Sequence, residues 1–116
     1  MIDVDLAEQA VLSAMLRDES GLATAQAAES LTKDDFSNTD RSTIFETCLR
    51  LSPANEVDVI MEHPDLHGEV ALISEKYGGG SIGRYIDHLI EFRNTRAVQQ
   101  ALYHATDELN GNKSAE

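Results

Sequence analysis

Basic side chains are scarce in this 116-residue chain, in which 9 Lys and Arg stand against 21 Asp and Glu and give a formal net charge of −12. A surface of that sign repels the phosphate backbone, whereas nucleic-acid binding depends on a basic face. Cys48 is the one cysteine, so no disulfide can form within the chain, as is usual in reducing compartments. We therefore expect no direct contact with nucleic acid and a cytoplasmic location.

Long apolar runs are also lacking. No stretch reaches the roughly 20 apolar residues of a membrane span, and the first residues show no basic segment followed by an apolar core. We expect no membrane association. The residues that are present, 41% hydrophobic and 26% charged, suit one soluble globular domain.

Helical spacing of apolar residues begins close to the first residue. Asp5 and Glu8 form a pattern typical of a capping box, and the apolar residues after them predict a first helix. A second run, residues 22–31, is rich in alanine and favours helix over strand. Asp40 is the expected cap of a third helix, which Ser52-Pro53 should end because proline disfavours a helical predecessor.

The middle of the chain fits more than one structure. Residues 32–35 resemble another capping signal, and Asp58 is placed to begin a short helical turn. From Asp65 the apolar spacing predicts a helix as far as Tyr77, although residues 70–73 alone could equally form a buried strand.

The last predicted helix is the longest. Gly78-Gly79-Gly80 breaks the chain, Ser81 is a good N-cap, and apolar residues then recur at helical spacing for about 30 residues. Asn110-Gly111-Asn112 should end this helix, so residues 1–109 form the predicted domain and residues 110–116 a polar tail or linker stump. The predicted fold class is all-α: a small orthogonal bundle of about five to six helices that ends in one long helix.

Two motifs associated with catalysis overlap in the glycine-rich segment. Gly78-x-Gly80-x-x-Gly83 matches the dinucleotide-binding fingerprint, and the same segment matches a nucleophile elbow with Ser81 as nucleophile and Asp87, His88 and His104 downstream. Both motifs require strands of a sheet, which the helical pattern does not provide, and the histidines lie on the helix that the serine begins. A glycine link followed by a serine cap explains the segment without catalysis.

The remaining reactive side chains also indicate structure rather than chemistry. His63 and His67 lie on either side of a proline, and no Cys or Glu completes a tetrahedral spacing. The pairs Asp18-Glu19 and Asp34-Asp35 fall at helix junctions, where carboxylates complement helix dipoles or face solvent. Cys48 lies on an apolar stripe and is interpreted as a small buried hydrophobe. We expect no catalytic, metal-binding or cofactor-binding residue and no cofactor.

Three segments carry motifs in a fixed order. Residues 7–16 read AEQAVLSAML, residues 31–36 read LTKDDF, and residues 41–45 read RSTIF. These resemble AEQ-x-VLGA-x-L, L-T-x-x-D-F and H-x-x-I-F in the N-terminal domain of DnaB-type replicative DNA helicases. Ser13 replaces the glycine of that family, and Arg41 stands where histidine is usual.

The resemblance extends over about residues 5–109. Residues 57–59, VDV, match a V-D-L step, and residues 85–97 resemble the family's long helix loosely. Two departures are present: residues 52–80 are shorter and more irregular than the usual pattern, and the family continues into a second long helix where this chain stops.

What the resemblance implies is an assembly and partner-docking domain. Such a domain packs in dimers and trimers of dimers above a ring of RecA-like motors and docks primase or a helicase loader in DNA replication. The implied parent is an ATP-dependent DNA helicase, but the chain contains no G-x-x-x-x-G-K-[ST] phosphate loop, so we expect no enzyme activity from it alone.

The alternative is a stand-alone acidic adaptor that mimics the helicase domain to bind a primase or loader. Gene context distinguishes the helicase hypothesis from the adaptor hypothesis. A coding sequence that continues past Glu116 into a phosphate loop would favour the helicase, and a stop codon at that point would favour the adaptor.

Five residues of the long helix are candidates for contact with a second copy or another partner, because arginine and aromatic side chains suit interface hot spots. They are Tyr85, Leu89, Phe92, Arg93 and Arg96. Helical spacing equally suits Tyr85 and Leu89 to the domain's own core, and surface arginines are usually solvated.

Overall fold

A computed structural model describes residues 4–53, 55–76 and 82–115 of the chain, with side chains described as far as Tyr103. In these ranges there are six α-helices, two short 3₁₀ turns and no strand, which confirms the all-α prediction. The helices are α1 Val4–Arg17, α2 Leu22–Ser30, α3 Thr39–Arg50, α4 Glu56–Glu62, α5 His67–Lys76 and α6 Ile82–Ala115, and the 3₁₀ turns are Lys33–Asp35 and Pro64–Leu66.

The first helix is the centre of the fold. Every residue from Ala7 to Leu16 is buried, because α1 is surrounded by α2, α3, α5 and α6. Its apolar side chains face the other helices from several directions, as expected of a helix with no exposed face. The core is completed by residues from all the other helices and the loops between them: Ala27, Leu31, Phe36, Ile44, Phe45, Cys48, Val59, Leu66, Val70, Ile73, Ile86 and Leu89.

Three predicted helix starts were wrong in detail. Asp5 lies inside the first turn of α1 rather than before it. Asn38, not Asp40, caps α3, and its side-chain oxygen accepts a hydrogen bond from the backbone N–H of Arg41 at 2.8 Å. Asn55, not Asp58, caps α4. Its side-chain oxygen accepts a hydrogen bond from the backbone N–H of Asp58, and the Asp58 carboxylate accepts one from the backbone N–H of Asn55, as in a capping box.

Other local predictions are confirmed. The capping signal in residues 32–35 forms, since the Asp35 carboxylate accepts a hydrogen bond from the backbone N–H of Thr32 at 2.8 Å. Residues 70–73 lie in α5, so the strand alternative is wrong, and Val70 and Ile73 are buried against the core. Tyr77, Gly78-Gly79-Gly80 and Ser81 lie outside the described residues.

The carboxylate of Asp18 organises the turn between α1 and α2. It accepts hydrogen bonds from the side chain and backbone of Ser20 and from the backbone N–H of Ala23 at 2.8 Å. These hydrogen bonds, chiefly the one from the Ser20 side chain, lower the pKa of Asp18. The acidic residue at this junction therefore does stabilise a helix start, as the sequence indicated.

The long helix continues further than predicted. It extends to Ala115, past Asn110-Gly111-Asn112, where the sequence analysis placed its end. A single glycine costs only about 1 kcal/mol in a helix interior and does not by itself end a helix, and no proline follows. The first half of α6 packs on the bundle and the second half extends beyond it, which gives the molecule principal extents of 61 × 29 × 23 Å.

Candidate partner-binding surface

The first half of α6 is held to the bundle by its apolar side chains. Ile86 and Leu89 are 3% and 1% exposed and pack into the core beside α1. Tyr85, Ile82 and Ile90 are half-buried against the same core. Two of the five predicted partner residues, Tyr85 and Leu89, thus fasten α6 to its own domain.

Arg93 joins α6 to the end of α2 and to the 3₁₀ turn. Its Nη1 donates to the carbonyl oxygen of Ser30 at 3.2 Å and lies 3.1 Å from Asp35 Oδ2. The Asp35 side chain is 1% exposed, so its charge is largely shielded from water and needs a partner nearby. Arg93 supplies that partner and fixes the direction of α6.

Phe92 and Arg96 lie together on α6 beside the 3₁₀ turn Lys33–Asp35. The Arg96 guanidinium carbon is 5.5 Å from the centroid of the Phe92 ring, within cation–π range, and Nη2 donates to the carbonyl oxygen of Asp34 at 3.3 Å. Phe92 remains 41% exposed. Helical pitch places Tyr103, which is 73% exposed, on the same face three turns later.

The second half of α6 exposes apolar side chains on another face as well. All side chains from Ala97 to Tyr103 are exposed. Val98 is 59% exposed and Leu102, one turn further, is 63% exposed. We call residues 97–103 the outer segment of α6. Val98 and Leu102 are not among the predicted partner residues, although their four-residue spacing was the signal in the sequence that could have identified them.

An ion cluster centred on Arg41, buried at Glu8 and open to solvent at Asp5, holds α1, α3 and α5 together. Arg41 Nη1 lies 2.7 Å from Asp5 Oδ1 and 3.1 Å from Glu8 Oε1, and Nε lies 3.3 Å from Glu69 Oε1. Glu8 is fully buried, and its Oε1 also accepts hydrogen bonds from the backbone and the hydroxyl of Ser37. Desolvation acts to lower the pKa of Arg41, but the hydrogen bonds to the three carboxylates outweigh it and raise that pKa. The cluster is a structural clamp.

Cys48 lies in the core with 0% of its surface exposed, as the sequence predicted. Burial raises the pKa of its thiol to about 12. The thiolate is the reactive form of cysteine, and burial suppresses it.

In the folded chain we expect Cys48 to react with iodoacetamide at least about tenfold more slowly than in the unfolded chain, because burial blocks access to the thiol and raises its pKa to about 12. Mass spectrometry of samples alkylated with and without urea measures the ratio. Equal rates in the two samples would contradict the burial.

Among the described residues no group of three or more His, Cys, Asp or Glu could hold a metal ion. His63 and His67 therefore gain no further ligand within that part of the chain. The glycine motifs fall mainly on residues 78–81, outside the described ranges, and no strand borders them in the ranges that are described. Nor is any helix in those ranges long and apolar enough to cross a membrane.

A model of the DnaB-like helicase N terminal domain family matches residues 4–77, more than half of the chain. The chain belongs to this family. No curated protein and no solved structure matches it. The match spans α1 to α5 of the DnaB-like domain and ends before α6, so the looser resemblance of residues 85–97 to the family's long helix stays a prediction. Membership gives the DnaB-like domain a helicase-associated role in DNA replication.

Proposed function

We propose that this DnaB-like domain is the N-terminal assembly and partner-docking domain of a replicative DNA helicase, and that α6 is the element through which it associates with a second copy. Its second task is to dock a primase or a helicase loader in the cytoplasm. The observation that carries the proposal is the outer segment of α6, a helix with large apolar side chains exposed beyond the bundle that anchors it.

Two features support self-association. Val98 and Leu102 are a one-turn apolar pair of the kind that packs between helices, and Ala97 and Ala101 beside them let a second backbone approach closely. An exposed helix without partners is marginal in water, since most helical stability in proteins comes from packing of an apolar face. A second copy would supply that packing.

Phe92 and Arg96, with Tyr103, form a second candidate contact on the same helix. The aromatic rings give area with few rotatable bonds, and the guanidinium is already positioned by Phe92 and by the carbonyl of Asp34. In this proposal Tyr85, Leu89 and Arg93 act by holding α6 in place, and Phe92, Arg96 and Tyr103 touch the partner.

Val98→Glu combined with Leu102→Glu is expected to weaken self-association by about tenfold or more, because the change removes two apolar anchors and places like charges opposite each other. Glutamate is a good helix former, so α6 itself should persist. Sedimentation equilibrium over a range of protein concentrations measures the dimerisation constant, and circular dichroism checks helix content.

The matched control is Val57→Glu combined with Met61→Glu on α4, where the side chains are 62% and 77% exposed. It adds the same two charges away from α6 and should leave the dimerisation constant unchanged. A monomeric wild-type chain, or an equal loss in both variants, would contradict the role of α6.

A further inference from the structure

The outer side of α4 exposes two large apolar side chains. Val57 is 62% exposed and Met61 is 77% exposed, and their four-residue spacing puts both on one face of the helix. The inner side of α4 packs on the core, where Val59 is fully buried. The apolar outer face therefore plays no part in the packing of the domain itself.

A recess lies at the beginning of α4. A hollow of about 190 Å³ is lined by Leu16, Glu19, Pro53 and Asn55, of which Asn55 is the cap of α4. Its volume is similar to that of a cavity that accommodates a benzene ring, so it is large enough for one sizeable apolar side chain.

The start of α2 lies beside Pro53, which lines the hollow. A Cβ atom built on Gly21 would lie 3.7 Å from the Cβ of Pro53, so the beginning of α2 rests against the loop that leads into α4. The next residue, Leu22, is 72% exposed. We call this region the α2–α4 junction: it comprises the hollow, which Pro53 lines, and the exposed side chains of Leu22, Val57 and Met61 on the two helices that begin beside it.

Carboxylates outnumber cations around the junction. Glu19 lines the hollow, and Glu56 and Asp58 flank Val57 in the sequence. None of the ion pairs found among the described residues involves these three carboxylates, whereas the nearby Glu62 is paired with Arg50. An apolar surface with an acidic rim complements a ligand that is apolar on one side and positively charged beside it.

We propose that the α2–α4 junction binds a basic amphipathic helix of a partner protein. An apolar side chain of that helix occupies the hollow, a second one a turn away packs on Val57 and Met61, and its Lys or Arg side chains approach Glu19 and Glu56. Helix-in-groove recognition uses this spacing of anchors. The inference rests on the proposed docking function, to which it adds a surface separate from α6 and the chemistry of the partner.

The probe is a synthetic amphipathic helix of about 18 residues, roughly five turns, made of Leu on one face and Lys on the other. Titrated into the ¹⁵N-labelled full chain, it should shift the backbone resonances of Leu22, Asn55, Val57 and Met61 and leave those of residues 97–103 in place. A matched peptide with Glu in place of Lys should not bind.

Two variants separate the apolar and the ionic contributions. Val57→Ala with Met61→Ala should weaken peptide binding by about tenfold, as expected when interface anchors are truncated. Glu19→Gln with Glu56→Gln should also weaken it and reduce its sensitivity to salt between about 0.1 M and about 1 M, over which the Debye length falls from about 10 Å to about 3 Å. The control, Leu72→Ala on α5, where the side chain is 44% exposed, should bind as wild type.

Several results would overturn the proposal: no binding of the Lys peptide, equal binding of the Glu peptide, shifts spread over the whole acidic surface, or full binding by the Val57→Ala, Met61→Ala variant. Failure of the proposed assembly role is a separate result, because it is measured by sedimentation of the chain without peptide. Circular dichroism of each variant verifies that a loss of binding is not a loss of fold.

Discussion

Replacing Arg41 with methionine is expected to lower the free energy of unfolding by about 3–5 kcal/mol, because it leaves a buried carboxylate without its counter-charge. The Glu8 side chain is completely buried and lies 3.1 Å from Arg41 Nη1. Its second oxygen, Oε2, has no hydrogen-bond partner among the described residues, so Arg41 and Ser37 together provide the compensation that Glu8 receives. Urea denaturation followed by circular dichroism measures the change.

The matched control is Arg50→Met. Arg50 pairs with Glu62, but the two side chains are 56% and 34% exposed, and a pair in contact with solvent contributes at most about 1 kcal/mol. Adding Glu8→Gln to the Arg41→Met variant should restore part of the lost stability, since no unpaired charge then remains buried. Equal losses for Arg41→Met and Arg50→Met would refute the clamp.

Phe45→Ala should cost about 3–5 kcal/mol of unfolding free energy, the range found when a buried aromatic side chain is deleted from a core. Phe45 is fully buried, and its ring centroid lies 4.8 Å from that of Phe36 with the two planes tilted by 35°. The substitution removes a fully buried side chain from the core and also the aromatic pair with Phe36, the residue that follows the 3₁₀ turn.

Phe92→Ala is the control for this substitution, because it deletes the same side chain from a site that is 41% exposed. We expect a loss below about 1 kcal/mol, since surface substitutions usually change stability little. The same variant should weaken self-association in sedimentation. A loss of stability at Phe92 as large as that at Phe45 would show that Phe92 belongs to the core and not to a partner surface.

The helices could be predicted from the sequence because their apolar spacing is local. Their caps were harder, since Asn38 and Asp40 are both good caps two residues apart, and the path of the chain from the preceding 3₁₀ turn decides between them. At α4 both Asn55 and Asp58 are good caps, and the sequence alone does not show which of the two precedes the helix and which lies in its first turn.

Contacts between residues far apart in the chain could not be predicted from the sequence. Nothing local indicates that Arg41 meets carboxylates from α1 and α5, because those partners are 28 to 36 residues away in the chain. The candidate surface shows the same limit: Leu89 and Phe92 were both predicted to contact a partner, but only the packing of α6 on the bundle distinguishes the buried Leu89 from the exposed Phe92.

The continuity of α6 has a mechanical consequence. Residues 97–115 form a rod of about 28 Å at the helical rise of 1.5 Å per residue. Ile86 and Leu89, which pack in the core beside α1, anchor the helix that carries this rod. Measured from Leu89, the tip of α6 is about 39 Å away, so a rotation of about 10° at Leu89 would displace it by about 7 Å. A small change in the packing around α1 would therefore move the end of α6 by at least the distance between neighbouring side chains.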